Sequence, residues 1–176
     1  ADLKKKVLAV GAHLGVAFDG DADRVGFVDE RGAMVRGDII AIILAKEIIK
    51  KTQGALVLGD PRMTNAFREE VKKAGGTFHF SKVGHANIKK QMKEGGAAFA
   101  GELSAHYYFN DFPGIESGDL AMLYVLRAMS SSGKSLSALA AEYGRYFHSG
   151  EINFTVEDKD KKIREAEERF SEGADG

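Results

Sequence analysis

Hydrophobic positions follow two spacings along this chain, one typical of helices and the other of buried strands. At the start, Leu3, Val7 and Val10 recur at helical spacing, and Gly11 is placed to end that helix. The same criteria predict further helices over 38–51, 64–73, 86–93, 116–129, 135–143 and 158–170. They predict strands over 14–18, 25–28, 55–58, 77–80, 97–100, 107–109 and 151–156. Strands that alternate with helices of this length predict a layered α/β/α domain around a mostly parallel mixed sheet.

The pattern also predicts local features of individual elements. Asp38 is predicted to cap the helix that follows it, and the strand over 14–18 is predicted to be buried. The segment 130–133 is predicted to be a loop. The strand over 151–156 and the charged helix after it cannot bury enough surface to be stable alone. We therefore expect the end of the chain to begin another, partial domain.

Composition excludes several classes of protein. Among 176 residues, 25 are Lys or Arg and 26 are Asp or Glu, so there is no basic excess of the kind that nucleic-acid binding requires. The chain has no Cys, which excludes disulfides, thiolate metal sites and cysteine nucleophiles. The longest apolar run, over 39–45, is far too short to span a membrane. We expect a cytoplasmic protein with no nucleic-acid or membrane partner.

The strongest chemical signal is the segment 19–24, with the sequence DGDADR, between two predicted strands. Its carboxylates Asp19, Asp21 and Asp23 are separated only by small residues, and like charges this close require a compensating cation. Oxygen ligands favour Mg²⁺ or Ca²⁺, and open coordination positions suit Mg²⁺ beside a phosphate. An EF-hand is rejected because Arg24 occupies the position that needs glycine. A solvated acidic turn is the alternative.

A second cluster follows the strand over 97–100. In an extended loop, Glu102, Ser104 and His106 would project to the same side. A carboxylate, a hydroxyl and an imidazole on one face could bind the vicinal hydroxyls of a sugar. A purely structural loop is the alternative.

Two further loops follow predicted strands. Lys82 and His85 lie in the sequence KVGH, and Arg62 lies in GDPR. Ligands of α/β sheets gather at such strand ends, although His85, taken alone, is better explained as a surface histidine in the first turn of a helix. The sequence SGKS at 132–135 is not a phosphate-binding loop, because Ala128 stands where the earlier glycine is required.

In this order, the motifs resemble those of the α-D-phosphohexomutases, specifically the phosphomannomutase/phosphoglucomutase group. The segment 19–24 resembles the family's metal-binding D-G-D-x-D-R loop, 82–85 resembles its K-x-G-H segment, and 101–106 resembles its G-E-M-S-G-H sugar-recognition loop. Ala105 departs from that last pattern, where the family has glycine.

The resemblance implies a chain that covers only part of a four-domain enzyme. It assigns residues 1–34 to the end of the metal-binding second domain, 35–147 to the sugar-recognition third domain, and 148–176 to the hinge and start of the fourth domain. The sequence has neither the family's T-A-S-H-N-P phosphoserine loop nor its R-x-S-x-T-E-P phosphate-binding loop. The missing domains of the same enzyme are therefore expected partners, and the chain alone is expected to be inactive.

The same resemblance implies a reaction and a role for each residue. The enzyme would interconvert hexose 1-phosphate and hexose 6-phosphate through a phosphoserine and a bisphosphate intermediate, with Mg²⁺ as cofactor. Metal binding falls to Asp19, Asp21 and Asp23, substrate binding to Glu102, Ser104, His106 and Lys82, and catalytic roles to Arg24, His85 and Arg62. Arg62 replaces a lysine common in the family, so its charge is kept. The alternatives are a stand-alone, non-catalytic module that binds Mg²⁺ and phosphosugars and, less favoured, a metal-dependent phosphatase.

Overall fold

The structure is a computed structural model that describes residues 2–111, 115–147 and 152–171. Within these ranges the helices are α1 (Asp2–Val10), α2 (Gly37–Lys51), α3 (Asn65–Lys73), α4 (His85–Gly95), α5 (Gly118–Ser132), α6 (Leu136–Tyr143) and α7 (Lys159–Phe170). The strands are β1 (Leu14–Phe18), β2 (Val25–Asp29), β3 (Met34–Val35), β4 (Leu56–Gly59), β5 (Thr77–Phe80), β6 (Phe99–Gly101), β7 (Tyr107–Phe109) and β8 (Ile115–Glu116). None of the described helices combines the length and apolar character needed to cross a membrane.

The first three strands form a small antiparallel sheet in the order β1-β2-β3. Helix α1 lies against it at Gly15, where an added Cβ would lie 2.5 Å from the Val7 side chain. The prediction that β1 is buried is wrong for its second half, because Ala17 and Phe18 are exposed. That half of the strand leads directly into the aspartate loop.

The remaining strands form a five-stranded mixed sheet in the order β5-β4-β6-β7-β8. Helices α3 and α4 return the chain between β4, β5 and β6, so these three strands are parallel. The short loop from β6 to β7 can only make an antiparallel hairpin, and β8 is also antiparallel. The layered α/β class with a mixed sheet is confirmed, with two parallel and two antiparallel pairings.

The core lies on both faces of this sheet. Helix α2 is apolar around nearly its whole circumference and is buried along its length, which is typical of a helix enclosed by other elements. The larger hydrophobic cluster joins α2 to Phe27 of the first sheet and to Phe99 and Phe109 of the second. Helix α4 covers the opposite face, where Ile88 and Met92 are buried. The sheet is therefore sandwiched between helices.

Some helix boundaries differ from the predictions for identifiable reasons. Asp38 is not the N-cap of α2; Arg36 is, and the buried Asp38 carboxylate accepts hydrogen bonds from the Arg36 guanidinium at 2.9 and 2.7 Å. Helix α5 begins at Gly118 because the Ser117 hydroxyl caps the Leu120 amide. It continues through the predicted loop to Ser132, whose hydroxyl donates to the Ala128 carbonyl at 2.6 Å.

The end of the chain is only partly as predicted. The charged helix is confirmed as α7, and every described residue of 152–171 is exposed. The predicted strand over 151–156 is not found at 152–156, since no described strand lies beside it to complete a hydrogen-bond ladder. Glu151 lies outside the described residues.

Glu30, in the turn after β2, ties the first sheet to helix α6. Its carboxylate accepts hydrogen bonds from the Ser137 amide at 3.2 Å and from the Ser137 hydroxyl, in the first turn of that helix. Burial raises the pKa of Glu30, but these bonds outweigh the effect and lower it to about 2. The ionised carboxylate therefore stabilises the folded state.

We expect the substitution Glu30→Gln to lower the free energy of unfolding by about 1–2 kcal/mol at pH 7. Because the folded-state pKa is depressed, this difference from the unmodified chain is fully present above about pH 4.5 and is lost as the pH falls through about 2. Urea denaturation of both proteins between pH 7 and pH 2 measures it. Glu94→Gln, at an exposed position on α4, is the control, and a difference that stays constant with pH would contradict the assignment.

Candidate functional site

The segment 19–24 is the connection of an antiparallel hairpin between β1 and β2. Phe18 and Val25 are the last paired residues, and the Asp19 amide donates to the Arg24 carbonyl at 3.4 Å to close the loop. Ala22 adopts a left-handed conformation with φ +61°. This local turn folds the loop back on itself and draws its side chains together.

The three aspartates of this loop converge, as the sequence predicts. One carboxylate oxygen from each of Asp19, Asp21 and Asp23 lies within 4.8 Å of the other two. In addition, Asp23 Oδ1 is buried and has no hydrogen-bond partner among the described residues. A buried carboxylate oxygen without a hydrogen bond is costly unless a cation binds it. Three oxygen donors with one unsatisfied atom fit a hard divalent cation such as Mg²⁺.

Arg24 partly balances this charge. Its Nε lies 2.6 Å from Asp19 Oδ2 and 3.7 Å from Asp23 Oδ1, and its amide donates to Asp19 Oδ1 at 3.1 Å. Desolvation raises the pKa of Asp19, but the hydrogen bonds from Arg24 outweigh it and hold the pKa below its ordinary value. One arginine against three carboxylates leaves the loop acidic.

The N-terminus of α5 fixes the position of the loop. A Cβ at Gly118 would lie 2.9 Å from the Phe18 ring and 3.2 Å from the Ala22 carbonyl oxygen. Only glycine allows the helix to approach so closely. The loop is therefore supported by the second sheet's helical layer as well as by its own hairpin.

The second predicted cluster also converges, but through a turn. The Glu102 amide donates to the His106 carbonyl at 3.0 Å, and Ala105 has φ +69°. The prediction of an extended loop is therefore wrong, since the chain must reverse between the antiparallel strands β6 and β7. The turn still brings Ser104 Oγ to 2.9 Å from His106 Nδ1, which lies 3.5 Å from Glu102 Oε2.

These two loops form one continuous surface. Arg24 and His106 make an antiparallel backbone bridge, and the Val25 amide donates to the Ala105 carbonyl at 3.4 Å. Across the bridge, His106 Nε2 lies 3.4 Å from Asp23 Oδ2. His106 thus stands between the aspartate cluster and Glu102, in contact with both.

The loop that carries Arg62 is fastened to the same surface. Asp60, fully buried at the end of β4, accepts hydrogen bonds from the Arg62 amide at 2.9 Å and from its guanidinium. It also accepts one from the Leu103 amide at 3.4 Å. On the other side of the turn, Gly37 leaves room for Leu103, because a Cβ there would lie 2.7 Å from the Leu103 carbonyl oxygen.

The loop after β5 joins the surface through its backbone. The Gly84 amide donates to Glu102 Oε1 at 3.4 Å, and Gly84, at φ +106°, is the N-cap of α4. Lys82 and His85, on either side of it, are exposed. In the part of the chain that the structure describes, no hydrogen bond joins their side chains to the other predicted site residues, so only their loop is brought to the site.

Three contributors were not predicted from the sequence. Asp60 holds Arg62 and Leu103, and its position directly after a strand is a signal that could have identified it. The hydroxyl of Tyr108, a buried residue of β7, donates to Glu102 Oε2 at 2.8 Å. Glu116 of β8 pairs with Lys89 of α4 at 2.7 Å. Tyr108 belongs to a strand whose pattern indicates only burial, and Glu116 is predicted to begin a helix rather than to lie in a strand.

Comparisons with known proteins agree on one family. The family model described as phosphoglucomutase/phosphomannomutase, alpha/beta/alpha domain III, matches residues 36–146. A phosphomannomutase of Methanocaldococcus jannaschii is 45% identical over 97% of this chain and 38% of its own length. A phosphomannomutase of Escherichia coli K12 is 38% identical over 98% of this chain and 38% of its own length.

Solved structures lead to the same result. A phosphoglucomutase/phosphomannomutase family protein of Burkholderia thailandensis superposes with a TM-score of 0.77 and 31% identity, over 83% of this chain and 32% of that one. An N-acetylphosphoglucosamine mutase of Aspergillus fumigatus, solved with GlcNAc-6P and magnesium, has a TM-score of 0.59 and 16% identity, over 73% of this chain and 35% of that one. At that identity the likeness shows the fold alone. This chain spans about 38% of the length of these phosphomannomutases, and it belongs to the phosphoglucomutase/phosphomannomutase family.

Proposed function

We propose that this chain is the metal- and sugar-binding part of a phosphohexomutase that interconverts hexose 1-phosphate and hexose 6-phosphate through a bisphosphate intermediate. The phosphoserine of that reaction would come from a segment outside these 176 residues, because the sequence has no T-A-S-H-N-P-like loop. In this proposal 1–34 completes a metal-binding domain, 35–147 is the sugar-recognition domain, and 148–176 leads into the next domain. The observation that carries it is the Arg24–His106 bridge, which joins the aspartate cluster to the Glu102 loop.

In this proposal, Asp19, Asp21 and Asp23 hold Mg²⁺. The bound ion would neutralise negative charge on the oxygens of the transferring phosphoryl group. Arg24 holds Asp19 in place and presents a half-exposed guanidinium beside the cluster, where its N–H groups can bind phosphate oxygens. Phosphoryl transfer depends mainly on such positioning and charge neutralisation, and these side chains supply both.

The turn over 102–106 binds the sugar. Glu102 can accept hydrogen bonds from ring hydroxyls, and the exposed Ser104 can donate or accept one. His106 orients Ser104 through the 2.9 Å contact to its hydroxyl. Because the turn is bonded to the aspartate loop, a hexose held here lies beside the aspartate cluster.

Three further residues follow the carboxyl ends of the parallel strands β4 and β5. Arg62 and Lys82 carry positive charge, and His85 opens helix α4. We assign them to the phosphate of the substrate and to the lining of the cleft. Arg62 stays protonated and paired with Asp60, so its contribution is charge and orientation rather than proton exchange.

The metal assignment predicts the effect of removing one carboxylate. We expect Asp23→Asn to weaken Mg²⁺ binding by about tenfold, since a ligand and a negative charge are both lost. Mg²⁺ should raise the thermal unfolding midpoint of the unmodified chain and have much less effect on this variant. Calorimetric titration with MgCl₂ measures the affinity. Asp160→Asn, on the exposed helix α7, is the matched control, and equal affinities in all three proteins would refute the site.

The sugar assignment predicts a loss of hexose affinity without a loss of stability. We expect Ser104→Ala to weaken mannose 6-phosphate binding about 3- to 10-fold, because one exposed hydroxyl that contacts the ligand is removed. Titration followed by NMR measures this dissociation constant. Ser130→Ala, at an exposed position on α5, loses the same hydroxyl far from the turn and should bind normally. Unchanged binding by the Ser104 variant would argue against the assigned face.

The chain alone should bind hexose phosphates weakly and turn none of them over. We expect dissociation constants of about millimolar, because the remaining domains contribute no contacts, and no conversion of mannose 1-phosphate in the presence of Mg²⁺. A coupled assay for the 6-phosphate measures turnover. Conversion by the pure chain would refute the requirement for an external phosphoserine. Tight binding without turnover would indicate a stand-alone phosphosugar-binding module instead.

A further inference from the structure

The contact between Tyr108 and Glu102 has no part in the function proposed above. Tyr108 is fully buried in β7, and its hydroxyl donates to Glu102 Oε2 at 2.8 Å. Glu102 itself is 4% exposed and stands at the start of the sugar-binding turn. A buried carboxylate needs donors of this kind to remain in place.

The tyrosine ring is held firmly from several sides. In the sheet Tyr108 is paired with Ala100 on β6 and with Glu116 on β8, so its backbone lies between two strands. Its ring packs in the cluster that includes Ile88 and Met92 of α4. A tyrosine has only two side-chain torsions, and both are restricted by this packing. The hydroxyl therefore occupies one position relative to the sheet.

That fixed hydroxyl determines which way the Glu102 carboxylate faces. Oε2 is bound to Tyr108 and lies 3.5 Å from His106 Nδ1, while Oε1 accepts the Gly84 amide at 3.4 Å. A carboxylate has about four lone-pair positions. Tyr108 and Gly84 use two of them, so at most two are left.

We propose that Tyr108 is a positioning residue for sugar recognition: its buried hydroxyl orients the carboxylate of Glu102 so that the remaining lone pairs meet the ring hydroxyls of a hexose phosphate. This inference rests on the proposed function, because it assumes that Glu102 binds sugar. Without the hydroxyl, one oxygen of a buried carboxylate loses its donor and the side chain can rotate. The affinity for a sugar should therefore fall, while the affinities for phosphate and Mg²⁺ should not change.

The test is Tyr108→Phe, measured by NMR titration with mannose 6-phosphate and separately with inorganic phosphate. We expect mannose 6-phosphate to bind about 5- to 10-fold more weakly, with phosphate and Mg²⁺ affinities unchanged. In a Glu102→Gln background, the same substitution should change mannose 6-phosphate affinity by less than about twofold, because the two residues act as one unit. Tyr124→Phe is the matched control, since that buried tyrosine donates its hydroxyl to no part of the turn and instead contacts Lys51.

Four outcomes would overturn the inference, and they differ in what else they affect. Unchanged mannose 6-phosphate affinity in Tyr108→Phe, with a loss in Glu102→Gln, would refute the role of Tyr108 alone. An equal loss for mannose 6-phosphate and phosphate, or an undiminished effect in the Glu102→Gln background, would indicate a general disturbance of the fold. An unmodified chain that binds mannose 6-phosphate no more tightly than phosphate would refute the sugar-binding proposal itself.

Discussion

The antiparallel bridge between Arg24 and His106 is the contact on which the arrangement of the site depends. It joins two separate sheets at the point where each carries its polar loop, and the Val25–Ala105 hydrogen bond reinforces it. Because both contacts are made by backbone atoms, neither loop can shift without moving the other. The acidic cluster and the turn that carries Glu102 therefore keep a fixed separation. Reactions that depend on positioning rather than on covalent help from side chains require this kind of rigidity.

Two groups of acidic side chains in this protein differ in how their charge is balanced. Asp38, Asp60 and Glu70 are buried, and each is paired with a basic side chain that holds its pKa below the ordinary value in spite of desolvation. These carboxylates have hydrogen-bonded basic partners and hold neighbouring elements together. The aspartate loop differs, since Arg24 faces three carboxylates and Asp23 Oδ1, 3.7 Å from Arg24 Nε, has no hydrogen-bond partner among the described residues. Charge balance, rather than acidity alone, is what separates a candidate cation site from a structural ion pair.

The sequence predicts the elements better than their pairing. Periodicity locates α2 and the parallel strands to within two residues, because long apolar stretches and glycine-bounded strands are local signals. It does not find β3 or β8, each of two residues, which exist only because a neighbouring strand offers them a ladder. Asp38 is a residue type that often caps helices, yet its carboxylate instead accepts hydrogen bonds from the side chains of Arg36 and Thr64. In each case a strand pairing or a side-chain contact decides the local structure, and the hydrophobic pattern does not show it.

The turn over 102–106 shows why the residues of a loop and its geometry are predicted with different success. A motif identifies Glu102 and His106, but alternation along an extended chain is not what brings them together. The turn is shaped by neighbours outside it: Asp60 binds the Leu103 amide, Gly37 makes room for the Leu103 carbonyl, and the Tyr108 hydroxyl donates to Glu102 from within the sheet. The same residues on another scaffold would lack these supports. The residue types of the loop can therefore be recognised from the sequence, whereas their exact placement depends on the elements packed around the loop.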